Sequence, residues 1–184
     1  MTNPVTTPSI RALLLAVGLL WTPTSHAAEA PTEPAAERPP VADFGLRTLD
    51  GKKVKLSDYA GQVVLISFWA TWCAPCKQEL IFLDPLLKKY GEQGLVVLAI
   101  NTDSPKSQAE VRRFVRTRNL QMPVLLDPDG EVVRRLDPRA VMPFSLYVDR
   151  AGRRAHEHEG FSPDEPPAIE ARVIALLKEP APAP

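Results

Sequence analysis

The chain has 184 residues, with 22 basic and 22 acidic side chains and only two cysteines. That length suits one domain with its own hydrophobic core plus end segments, and the even charge gives no ground for nucleic acid or an anionic membrane as partner. Two cysteines exclude a four-cysteine zinc site and are too few for a small domain stapled by disulfides, so reactivity is the better reason for their presence.

In chain order, residues 1–28 read as an export signal. Arg11 precedes an apolar run over residues 12–21, short of the roughly 20 residues a membrane span needs. Pro23 and the small residues around Ser25-His26-Ala27 follow, as at a cleavage site. The positive region is thin, so retention as a membrane tether is the alternative. Position 28 is Ala28, so a lipid on a new N-terminal cysteine is not expected. Residues 29–40 form a Pro/Ala-rich linker and residues 179–184 a similar tail, both extended and solvated by composition. The folded domain is expected over residues 41–178.

Within it, Asp50-Gly51 between two short extended runs predicts a hairpin over residues 46–56. Residues 62–69 carry Val63-Val64-Leu65-Ile66 and Phe68-Trp69, the continuous apolar pattern of a strand buried on both faces. A helix follows, with Leu80, Leu83, Leu86, Leu87 and Tyr90 on one stripe, ended by Gly91 and Gly94. Residues 95–101 repeat the buried-strand pattern. Asp103 or Ser104 can cap a helix reaching about Arg118. A short strand over residues 123–126 stops at Asp127-Pro128-Asp129-Gly130. Two strands over residues 144–148 and 153–159 and a helix over residues 169–177 complete the domain. Alternating strands and helices predict an α/β fold whose sheet has a parallel centre and an antiparallel terminal hairpin.

Trp72-Cys73-Ala74-Pro75-Cys76 lies where the buried strand meets the helix. A helix start offers unpaired N–H groups and a partial positive charge. Both favour a thiolate on Cys73 and lower its pKa from the free value of about 8.5. The thiolate is the attacking species in disulfide exchange. Cys76, one turn deeper, can close the ring and expel a bound partner. Pro75 falls in the first turn, where a missing N–H is harmless. The bland reading is a structural disulfide, but closing so short a loop adds little stability. Copper(I) on the two thiolates is a further reading, although no third ligand stands out. His156 and His158 share one face of a strand, and a solvated polar face explains them better than a metal site.

These residues resemble the thioredoxin superfamily, and within it the exported, redoxin-related TlpA/ResA-like branch. The resemblance is carried by residues 64–76, by Val97-Leu98-Ala99-Ile100-Asn101, and by Met142-Pro143-Phe144 leading into Leu146-Tyr147-Val148-Asp149. It implies a thioredoxin fold: a central mixed sheet flanked by helices, with an N-terminal hairpin and a strand-helix insertion over about residues 102–141. It implies Cys73 as nucleophile and Cys76 as resolving thiol. Pro143 would be a cis-proline facing the dithiol, with the Met142 backbone pairing with a substrate peptide. Trp72 would shield the dithiol and offer an apolar rim with Met142, while Trp69 and Phe144 are better read as core. Glu79 matches the branch's glutamate three residues after the second cysteine. Cys73, Cys76 and Glu79 step by three and so share one side of the helix, where a partly buried carboxyl could exchange protons with Cys76.

Three departures matter. Ser67 stands where many thioredoxins bury an aspartate, which places more weight on Glu79. Ile81 stands where the branch often has proline. The loop over residues 137–142 also lacks the pattern of the dedicated cytochrome c maturation reductases. The reading is therefore an exported, periplasmic enzyme that exchanges disulfides with protein partners, as a reductant, re-reduced by a membrane electron donor. No cofactor is needed, since two sulfurs carry the electrons. The alternative is a copper(I) chaperone without turnover. A peroxidase of the related peroxiredoxin group would need a threonine or serine one helical turn before its cysteine, and Thr71 is too close to Cys73.

Overall fold

The computed structural model describes residues 37–181; the expected export signal lies outside them. A hairpin, β1 (Gly45–Thr48) and β2 (Lys53–Lys55), leads to β3 (Val63–Trp69), α1 (Ala74–Tyr90) and β4 (Leu95–Asn101). Then come α2 (Gln108–Arg118), β5 (Val124–Leu126), α3 (Glu131–Leu136), β6 (Phe144–Val148), β7 (Arg154–Glu159) and α4 (Pro166–Lys178). One seven-stranded sheet runs in the order β2-β1-β5-β4-β3-β6-β7. β3 pairs in parallel with β4 and antiparallel with β6, so the sheet is mixed.

Every residue of β3 is buried, because both faces of the sheet are covered. Val63, Leu65 and Trp69 face α1 and α4, meeting Leu80, Leu83, Ile169 and Val173. Val64, Ile66 and Phe68 face the other way, onto Val132, Val133 and Leu136 of α3. Each such side chain contributes roughly 1.5–3 kcal/mol by leaving water. Ser67 belongs to the first face by alternation and is fully buried. A serine there, in a row otherwise apolar, signals a polar partner across the core.

Several local expectations change. α2 is preceded by a 3-10 turn, Pro105–Ser107, and has no side-chain cap, because the Asp103 carboxylate is engaged elsewhere. α3 shows no usable periodicity in the sequence, since six residues span under two turns. Its start is held by Asp127, whose carboxylate accepts from the N–H groups of Val132 (3.3 Å) and Val133 (2.9 Å). α4 begins at Pro166, earlier than its apolar stripe suggests. Pro85 lies inside α1 and has no N–H for the Ile81 carbonyl, so the missing proline at Ile81 is replaced one turn later. Arg38, expected in the solvated linker, is 3% exposed. Its guanidinium donates to Asp149 (3.1 Å) and to both oxygens of Glu179 (2.8 Å each). Desolvating that cation is tolerable because two carboxylates meet it, and the pairing joins Arg38 and Glu179 to the β6–β7 turn.

Candidate active site

α1 begins at Ala74, which makes Cys73 its N-cap. The Cys76 N–H donates to Cys73 Sγ at 3.3 Å, so the sulfur occupies the place a capping oxygen would take. Pro75 sits in the first turn. The two sulfurs are joined as a disulfide with Cα atoms 5.3 Å apart; this is the oxidised form. Cys73 is 5% exposed and Cys76 is fully buried. Of the two cysteines, only Cys73 keeps any exposed surface.

Met142-Pro143 is a cis peptide bond. Phe68 pairs with Phe144, so the antiparallel register carries Met142-Pro143 to the end of β3, where the loop to Cys73 begins. Trp72 is 72% exposed, and the Met142 sulfur accepts from Thr102 Oγ1 at 3.7 Å. Trp69 and Phe144 are core, packed on Phe114 and Phe68 respectively. The loop is braced by Asp103, whose Oδ2 accepts from the Thr71 N–H (2.7 Å) and Asn101 Nδ2 (2.8 Å) and whose Oδ1 accepts from Thr71 Oγ1 (3.0 Å). That role was hidden, since partners 32 positions apart leave no local pattern.

Glu79 is 1% exposed. Ser67 Oγ donates to its Oε2 at 2.8 Å, and Ser145 Oγ donates to its Oε1 at 2.7 Å. Burial pushes its carboxyl up to about 7, and the two serine hydrogen bonds oppose that rise only partly. A carboxyl poised there is suited to take and return a proton near neutral pH. Ser67 thus does more than mark a lost aspartate: it holds a carboxyl brought in by the helix. Ser145 lies 66 positions from Glu79, so no local pattern marks it.

The histidines do not lie on a solvated face. His156 and His158 are both half-buried. His156 stands edge-on to Tyr147, ring centroids 5.4 Å apart, and burial pushes its pKa down to about 4. Beside the dithiol, a cleft of about 320 Å³ is lined by Thr71, Lys77, Glu110, Arg113, Phe114 and Arg118, three cations against one carboxylate. Among the described residues no group of three or more His, Cys, Asp or Glu side chains could hold a metal ion.

Residues 38–153 match the AhpC/TSA family. The thiol-disulfide oxidoreductase ResA of Bacillus thuringiensis subsp. konkukian is 33% identical over 118 residues, 64% of this chain and 66% of that protein. The chain therefore spans just under two thirds of that relative's length. Among solved structures, a Chlorobium tepidum protein provisionally named thiol:disulfide interchange protein DsbE superposes with a TM-score of 0.70 at 34% identity, covering 76% of this chain and 96% of that one. The exposed lipoprotein thioredoxin Etrx1 of Streptococcus pneumoniae superposes with a TM-score of 0.62 at 32% identity, covering 73% and 100%. With a mixed sheet, a cis-proline and a dithiol at a helix start, this chain belongs to the AhpC/TSA family and has a thioredoxin-like fold.

Proposed function

We propose that the protein is a thiol–disulfide oxidoreductase that reduces the disulfides of other proteins outside the cytoplasm. The observation that carries this reading is the asymmetry of the pair: Cys73 caps the helix at the surface, and Cys76 is sealed behind it on the same helix side as Glu79. In the reduced form the Cys73 thiolate attacks one sulfur of a partner disulfide. That disulfide breaks, and its other sulfur leaves as a thiolate with the electron pair. Cys76 then gives its proton to the Glu79 carboxylate and attacks the Cys73 sulfur. The second partner thiolate leaves, and the Cys73–Cys76 disulfide remains. The partner is reduced by two electrons and no cofactor enters.

The exposed Trp72 and the half-buried Met142, beside Pro143, form the apolar rim against which a partner's extended segment rests. The adjacent Lys77, Arg113 and Arg118 favour segments with acidic residues near the disulfide. Location in the periplasm, free or tethered by residues 1–28, rests on the sequence, and the likeness to an exposed lipoprotein thioredoxin supports a place outside the cytoplasm. A membrane electron donor that restores the dithiol is carried over from the resemblance to the TlpA/ResA-like branch.

The test is insulin reduction by the purified protein, with a redox titration against glutathione. Turnover that needs both cysteines, with a potential toward the reducing end of the known range of about −270 to −120 mV, supports the reading. A potential at the oxidising end overturns the reductant role.

A further inference from the structure

Glu79 has a problem of access. At 1% exposure it cannot hand a proton directly to water, yet each turnover leaves it with one. Two hydrogen bonds offer exits. Ser67 pairs across the sheet with Ala99 on β4, which has no polar side chain, so that direction ends. Ser145 pairs with His158 on β7. Directly opposed side chains on one face of an antiparallel pair have Cβ atoms about 4.5–5.5 Å apart.

His158 is 16% exposed, and its Nε2 lies 3.2 Å from Glu165 Oε1, without the alignment of a hydrogen bond. Glu165 is 27% exposed and fixed by the Ser162 N–H, which donates to its Oε2 at 2.6 Å. Ser145 is hydrogen-bonded to Glu79, and the strand register and the 3.2 Å approach to Glu165 place His158 next on the way to the surface before α4.

Other titratable or charged groups face these residues. On β7, His156 occupies the next position of the same face, and burial keeps it neutral near pH 7. On β6, burial pushes the Tyr147 phenol up, so it keeps its proton. On α4, the Arg172 guanidinium acts on both. From α1 comes Glu79 itself, which also feels the charge of Glu165.

We propose that Ser145 and His158, with Glu165 at the surface, form the route by which Glu79 exchanges protons with solvent. This rests on the role given to Glu79 above. Once Glu79 holds the proton from Cys76, its O–H donates to Ser145 Oγ, and the serine hydroxyl turns its own proton toward His158. The imidazole accepts at one nitrogen and releases at the other, to Glu165, which passes the proton to water. Glu79 returns to the carboxylate, and one proton has left per ring closure. Ser145 and His158 are positioning residues, because neither touches the substrate or the sulfurs.

The experiment follows oxidation of the reduced full-length protein by a peptide disulfide in a single turnover, across pH and at several imidazole concentrations. His158→Leu and Ser145→Ala are expected to slow ring closure about tenfold. Added imidazole should restore the rate in His158→Leu and leave the unmodified protein unaffected. The first step, read as mixed-disulfide formation on a Cys76→Ser background, should not change. Glu79→Gln/His158→Leu should be no slower than Glu79→Gln alone. His158→Gln and Ser145→Thr serve where the first variants fold poorly; the glutamine breaks the relay and the threonine keeps it. A His158 variant with the unmodified rate and pH profile overturns the relay, as does a slowdown that imidazole does not relieve. If Glu79→Gln is slow while the His158 variants are normal, only the relay falls. If Glu79→Gln is also normal, the proton-transfer role of Glu79 falls with it.

Discussion

At the mouth of α1, Trp72 is 72% exposed and Cys73 keeps 5% exposure; one turn deeper, Cys76 and Glu79 are shut off from water. The two ends of this short stretch solve opposite problems. The mouth must meet a partner and hold an anion, so it uses the N–H groups and field of a helix start. The interior must move a proton, so it uses burial to bring a carboxyl near neutrality, with Ser67 and Ser145 holding the group in place. A reactive dithiol needs both, and they cannot share one environment: water that welcomes a partner would return Glu79 to an ordinary carboxylate.

That contrast can be broken from either end. Cys73→Ser removes the only reachable sulfur and is expected to abolish insulin reduction. Cys76→Ser should instead trap a mixed disulfide, visible by mass spectrometry. Glu79→Gln should leave mixed-disulfide formation intact and slow ring closure on the order of 100-fold, with loss of a pH dependence centred near 7, read by rapid-mixing kinetics.

The same interior group carries a stability signature. Its folded pKa is raised from 4.5 to about 7, so the folded oxidised protein binds the proton more tightly than the unfolded chain does. That stabilisation is complete below about pH 4.5 and is lost as pH climbs through about 7. The full difference is about 3 kcal/mol. Glu79→Gln should therefore raise the thermal midpoint at pH 8 more than at pH 5. His156 acts in the other direction. Its pKa is lowered to about 4, so stability falls as pH drops below about 6.5 toward 4, and His156→Gln should flatten that acid limb. The smallest effect belongs to the mouth. Arg113→Glu beside Lys77 and Arg118 should lower kcat/KM for an acidic peptide disulfide about two- to fivefold, an effect that salt erases, and should leave a small neutral disulfide unaffected.

The two regions also differ in how far they could be read in advance. The mouth is local: Trp72 to Glu79 is one continuous stretch, and helical spacing alone puts Cys73, Cys76 and Glu79 on one side. The interior is assembled from distant parts. Ser145 lies 66 positions from Glu79 and looks like any polar residue on a strand, while Asp103 looks like a helix cap and braces Thr71 instead. His158 looked solvated because alternation on β7 is judged without α4 in place. Arg38 was hidden in a Pro/Ala-rich stretch whose composition says nothing of the two carboxylates that bury it. The long strands and α1 were legible because their periodicity spans several turns or many buried residues, whereas α3 is too short for any.

The most direct test follows the thiolate absorbance of the reduced protein against pH, in the unmodified chain and in Cys76→Ser. A Cys73 placed as a helix cap should ionise well below about 8.5, in both proteins. Ionisation at or above that value would contradict a nucleophile activated by the helix, and with it the division of labour between mouth and interior.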